Sequence, residues 1–117
     1  MLWMVLFYLS AYYQCVAAQF TPFHAVRSTE KVLPCQIVTS ATTVVTWKKD
    51  DDIIITYANG EISENVDDSK YTVNSDKSMT IFSVDITDED NYSCRDVIQG
   101  TIFTLSLIVY GEYILCL

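Results

Sequence analysis

Few side chains in this 117-residue chain are equipped for chemistry. There is a single histidine, His24, and there are four cysteines, at positions 15, 35, 94 and 116. Two acidic clusters stand out, Asp50-Asp51-Asp52 and Asp85 with Asp88-Glu89-Asp90. A zinc site needs four ligands at short spacings, and neither a C-x-x-C pair nor a second histidine is present. An EF-hand calcium loop needs D-x-D-x-D-G with a closing glutamate, a pattern the tri-aspartate does not supply, so it reads as a solvated turn. Paired carboxylates do acid–base work only in a cleft that separates their pKa values, and carboxylates on turns offer none. No nucleophile–base pair is apparent. The sequence therefore points away from an enzyme, and no catalytic, cofactor or metal residue is assigned.

Composition narrows the class further. Seven basic and fifteen acidic residues give a net charge of −8, the wrong sign for releasing counterions from nucleic acid. Half the residues are hydrophobic, too many for a disordered tail. Three glycines and two prolines exclude collagen-like and low-complexity sequence. The length allows one domain. A small acidic binding module fits these bounds.

The elements that would position any site begin after an uncharged leader. Residues 1–18 carry no charged side chain, and the run Leu2–Leu9 is apolar. Val16 and Ala18 stand three and one positions before Gln19, where signal peptidase accepts small residues. We read 1–18 as a secretory signal peptide cleaved after Ala18. Cys15 leaves with it, and Cys35, Cys94 and Cys116 enter an oxidising compartment where pairs become disulfides. In the remaining chain apolar residues recur at period two: Leu33-x-Cys35-x-Ile37, Val45-x-Trp47, Met79-x-Ile81, Tyr92-x-Cys94, and Phe103 to Val109. That period marks half-buried strands. Turn signals such as Asn59-Gly60, Asp67-Asp68-Ser69, Asn74-Ser75-Asp76 and Gln99-Gly100 separate them. Many short strands so spaced indicate an all-β sandwich or barrel.

One constellation resembles a known family. Cys35 is followed by Trp47 twelve positions on, and Asp88-x-x-x-Tyr92-x-Cys94 closes the pattern, with Met79-x-Ile81-x-x-Val84 upstream. This is similar to the immunoglobulin superfamily over about residues 31–109. The resemblance implies an immunoglobulin-like Greek-key β-sandwich over 19–110, with one inter-sheet disulfide between Cys35 and Cys94. It implies that Trp47 packs on the sulfurs and that the Tyr92 hydroxyl finds a backbone partner. It also implies that Lys70 pairs with Asp88, without the bidentate geometry of the commoner arginine. Asp90 departs from the family's usual Gly or Ala, and strain is expected in the turn before it. The Cys35 to Cys94 spacing lies between those of intermediate-type and variable-type members, and Ile53 to Tyr57 followed by Ala58-Asn59-Gly60 looks like the extra strand that favours variable-type over intermediate-type. The missing F-G-x-G after Cys94 resembles non-rearranging members, such as costimulatory ligands or adhesion receptors.

Function follows from the resemblance as an expectation. The chain would bind an extracellular protein, or a second copy of itself, through the sheet holding the family's G, F, C and C′ strands. Counting outward positions suggests Thr46, Lys48, Ile53, Ile55, Tyr57, Arg95 and Val97 for that face, and the alternative for the isoleucines, whose parity three in a row leave open, is packing in the core or under a loop. The alternative is a structural spacer in a longer adhesion protein. Asn91-Tyr92-Ser93 is the only N-glycosylation sequon. With Tyr92 and Cys94 inward, Asn91 faces out as a candidate acceptor, the alternative being an unmodified side chain. The location is secreted or on the outer side of the plasma membrane. Residues 111–117 form a short apolar tail whose Cys116 needs a partner. Three readings stand: the tail packs back on the sandwich, Cys116 joins two chains in a dimer, or, since Gly111-Glu112-Tyr113 can be encoded with a splice-donor sequence, the tail is intron read-through or an alternative ending. The main product would then continue to a membrane anchor.

Overall fold

The computed structural model describes residues 23–111. The candidate signal peptide, the tail from Glu112 and Cys116 lie outside the described residues. The period-two segments become nine strands: β1 (Phe23–Val26), β2 (Lys31–Leu33), β3 (Val44–Lys49), β4 (Asp52–Ala58), β5 (Glu61–Asn65), β6 (Tyr71–Val73), β7 (Met79–Ile81), β8 (Asp90–Asp96) and β9 (Ile102–Tyr110). A 3-10 turn at Ile86–Asp88 is the single helical element described. One sheet has the order β1-β9-β8-β3-β4-β5 and the other β2-β7-β6. Pairing is antiparallel throughout except between β1 and β9.

Most strands send alternate residues between the sheets. Leu33, Val45, Trp47, Met79, Ile81, Val84, Tyr92, Cys94 and Leu107 are almost fully buried there. Burying side chains of this size stabilises by roughly 1.5–3 kcal/mol each, before the entropy of ordering the chain is subtracted. The β4–β5 hairpin turns on Asn59 (φ 53°) and Gly60 (φ 88°). A two-residue hairpin loop of the primed type needs positive φ at both positions, which asparagine and glycine tolerate.

One register shift changes the expected face. Trp47 pairs with Ile55, but the next residue, Lys48, pairs with Ile53. Ile54 is thus a bulged residue, and both Ile54 and Ile55 are buried. A bulge reverses the parity of everything beyond it. Ile55 therefore lies in the core beside Trp47, and Tyr57, paired with Val45, turns to the inner side and packs against the core. Neither belongs to the outer face as counted from sequence. The expected strain before β8 is also not found. Asp90 pairs with Leu107, and the non-glycine residues with positive φ are Ser28, Asp50, Asn59 and Lys77.

Candidate recognition face

The frame behind the candidate face is built from the signature residues. Cys35 and Cys94 are joined, with Cα atoms 5.9 Å apart. Trp47 is fully buried and its indole Nε1 donates to the Lys77 carbonyl at 3.0 Å. The Tyr92 hydroxyl donates to the Asp88 carbonyl. Burial raises the Tyr92 pKa, keeping the phenol neutral. Lys70 Nζ lies 2.8 Å from the buried Asp88 carboxylate, whose other oxygen accepts from the Asp85 N–H at 2.7 Å. Burial alone would lower the Lys70 pKa, but the hydrogen bond and charge of Asp88 outweigh it and the net shift is upward.

On the outer side of the six-stranded sheet, side chains stand in rows across the strands. The first row joins Val97 to Val44 by a backbone hydrogen bond of 3.0 Å and continues to Ala58 and Glu61. The second runs Ile102, Arg95, Thr46, Thr56 and Glu64. The third runs Thr104, Ser93, Lys48 and Ile53. The fourth pairs Ser106 with Asn91. Of the residues assigned from sequence, Thr46, Lys48, Ile53, Arg95 and Val97 share this face. Val97 (43 % exposed), Ile102 (58 %) and Ile53 (43 %) leave aliphatic surface in water. Lys48 and Arg95 place positive charge in the centre of the face, while Glu61 and Glu64 line its β5 edge.

The inward counting missed one polar group. Asp96 has the parity of Tyr92 and Cys94 and is almost fully buried. Its carboxylate accepts from the Thr42 hydroxyl at 2.9 Å and from the Ile98 and Gln99 N–H groups at 3.1 and 3.0 Å. It thereby ties the β2–β3 loop to the β8–β9 hairpin that carries Val97 and Ile98. An acidic residue at an inward strand position is the signal that could have revealed it. The Gln99 N–H, helped by Thr42 and Ile98, holds this carboxyl below its ordinary value of 3.8 despite burial. A depressed carboxyl contributes stability above that ordinary value and loses it as pH falls through the folded value. Acidification below about pH 4 should therefore lower the urea midpoint of the wild type more steeply than that of Asp96→Asn. Asp96→Ala should cost about 1–2 kcal/mol at neutral pH, since it strands the buried Thr42 hydroxyl and removes the acceptor of two part-buried backbone N–H groups. An equal pH dependence in wild type and Asp96→Asn would contradict this account.

No protein-family model and no curated protein matches the chain. Solved structures do match. Tim-1 superposes with a TM-score of 0.68 at 22 % identity, covering 78 % of this chain and 92 % of that one. The extracellular domain of the voltage-gated sodium channel β4 subunit superposes with a TM-score of 0.66 at 17 % identity, covering 80 % and 87 %, in a study of parallel homodimers and cell–cell adhesion. The CD2-binding domain of CD58 gives 0.57 at 19 % identity, covering 76 % of this chain and 52 % of that one. Two sheets in this strand order, the Cys35–Cys94 bridge, the buried Trp47 paired with Cys94, the Tyr92 corner and these superpositions agree on one conclusion: the chain has the fold of an immunoglobulin variable-type domain.

Proposed function

We propose that the chain is an extracellular recognition module that binds another protein through the outer face of its six-stranded sheet. The observation that carries this is the exposed aliphatic surface of Val97 and Ile102 flanking Arg95. Arg95 and Ile102 stand on backbone held by the β8–β9 and β3–β8 ladders, and Val97, in the turn just beyond β8, donates its N–H to the Val44 carbonyl at 3.0 Å, so little further ordering is lost on binding. Apolar groups around one cation, with a polar rim, suit the centre of a protein interface. In a chain of net charge −8, Lys48 and Arg95 favour a partner that presents acidic groups. A second copy qualifies through Glu61 and Glu64. The β4-subunit homodimer and the CD2-binding domain of CD58 support the same use of the fold, and the extracellular setting of the β4 domain supports a secreted or surface location with 1–18 as its leader.

The test is binding of the purified chain to an array of cell-surface ectodomains that includes the chain itself. Arg95→Glu and Ile102→Asp should each weaken the interaction at least tenfold. Val32→Asp, on the opposite sheet and also exposed, should leave it unchanged. Binding that is lost only in Val32→Asp would move the site to the other sheet and reject the proposal. Lys48→Glu should weaken binding without shifting the melting temperature much. Tyr57→Ala should instead cost about 2 kcal/mol of stability, because that ring packs on the core rather than facing a partner.

A further inference from the structure

We infer that Asn91 carries an N-linked oligosaccharide and that this sugar confines the contact surface to the upper rows of the outer face, an inference that rests on the recognition reading above. Asn91 is exposed in the fourth row. Its side-chain oxygen accepts from Ser106 Oγ at 2.6 Å, which turns the amide nitrogen away from β9. Ser93, the hydroxyl residue of the sequon, stands on the same face two positions on. The step is a group transfer. The Asn91 amide nitrogen attacks the anomeric carbon of an oligosaccharide carried on a polyprenyl diphosphate. The new C–N bond forms as the bond to the diphosphate oxygen breaks, the polyprenyl diphosphate leaves, and the nitrogen gives up one proton. β9, the strand that pairs with Asn91, follows it in the chain, so the acceptor is still unpaired on that side when it first enters the secretory lumen.

The position of the acceptor decides what the sugar covers. At about 3.3 Å per strand residue, Arg95 lies roughly 13 Å along β8 from Asn91, and Val97 follows in the turn just beyond the end of β8. The glycan is rooted beside Lys49, Asp50 and Ser106. The aliphatic surface of Val97 and Ile102 stands at the opposite end. A partner laid flat along the whole sheet would meet the sugar, whereas one seated on the first two rows would not.

Expression of the full chain in mammalian cells, followed by mass spectrometry before and after peptide-N-glycosidase treatment, reads occupancy directly. One glycan should be present on wild type and absent from Asn91→Gln and from Ser93→Ala, which keeps the Asn91–Ser106 contact. An unmodified Asn91 in the wild-type protein overturns the inference. The second arm moves the sugar. Val44→Asn creates Asn-Val-Thr with Thr46 and roots a glycan in the first row. Against a partner found in the array, Val44→Asn should lose at least tenfold in affinity, and the same variant made without its sugar in the bacterial periplasm should recover most of it. Asn91→Gln should change binding by less than twofold. A tenfold change in Asn91→Gln would put the contact on the lower rows and overturn the division of the face. A glycosylated chain that binds nothing would defeat the recognition reading while leaving the modification site standing.

Discussion

Replacing both Cys35 and Cys94 by alanine should cost about 4 kcal/mol of stability, because the bridge spans 59 residues and a loop of that length removes that much chain entropy from the unfolded state. Small domains hold about 5–15 kcal/mol in all. The double variant should therefore unfold at a urea concentration lower by about 2–3 M, for a slope near 1.5 kcal/mol per molar. A secreted form should also reach the medium in much reduced amount. Both sulfurs are buried among core residues, so the fold loses a covalent staple at its centre rather than at its rim. Equilibrium unfolding by fluorescence checks the number, and non-reducing peptide mapping should recover the peptides of Cys35 and Cys94 as a linked pair. A map joining either cysteine to Cys116 would contradict the register of both sheets.

Lys70→Met should be the second large loss, about 3–5 kcal/mol, with no change in strand content. The carboxylate of Asp88 is almost fully buried, whereas the Lys70 side chain keeps about a quarter of its surface in water. Removing the cation leaves a buried charge with the Asp85 N–H as its remaining support, and a stranded buried charge costs far more than a broken surface pair. Asp88→Asn should cost less, since its amide can still serve the turn at Ile86–Asp88 and the freed ammonium can reach solvent. The pair also sets a pH dependence. The Lys70 pKa is raised in the fold, so its contribution is complete below the ordinary value of 10.5 and disappears as pH rises through the folded value. Urea midpoints of wild type and Lys70→Met should therefore converge in strongly alkaline solution. Equal stability of Lys70→Met and wild type at pH 7 would mean that Asp88 is sustained by other groups.

The alternation of the chain by itself indicated a sandwich or a barrel, and the resemblance carried by Cys35, Trp47, Asp88, Tyr92 and Cys94 narrowed that to the immunoglobulin-like sandwich. Period-two alternation located the strands, since side chains on a strand can only alternate. The composition of the recognition face was a different matter. Three consecutive isoleucines offer no parity of their own, and the bulge opposite Trp47 and Lys48 sent Ile54 and Ile55 inward and left Ile53 out. Ile102 stands outward by the same alternation that turns Leu105 and Leu107 inward, but only its pairing with Arg95 places it beside the residues counted on β8. Asp96 and Thr42, 54 residues apart, meet only once β8 lies beside β3. Residues that take their orientation from their own neighbours are readable in the chain. Residues whose orientation or partner is set by a strand elsewhere are decided by the packing of the two sheets.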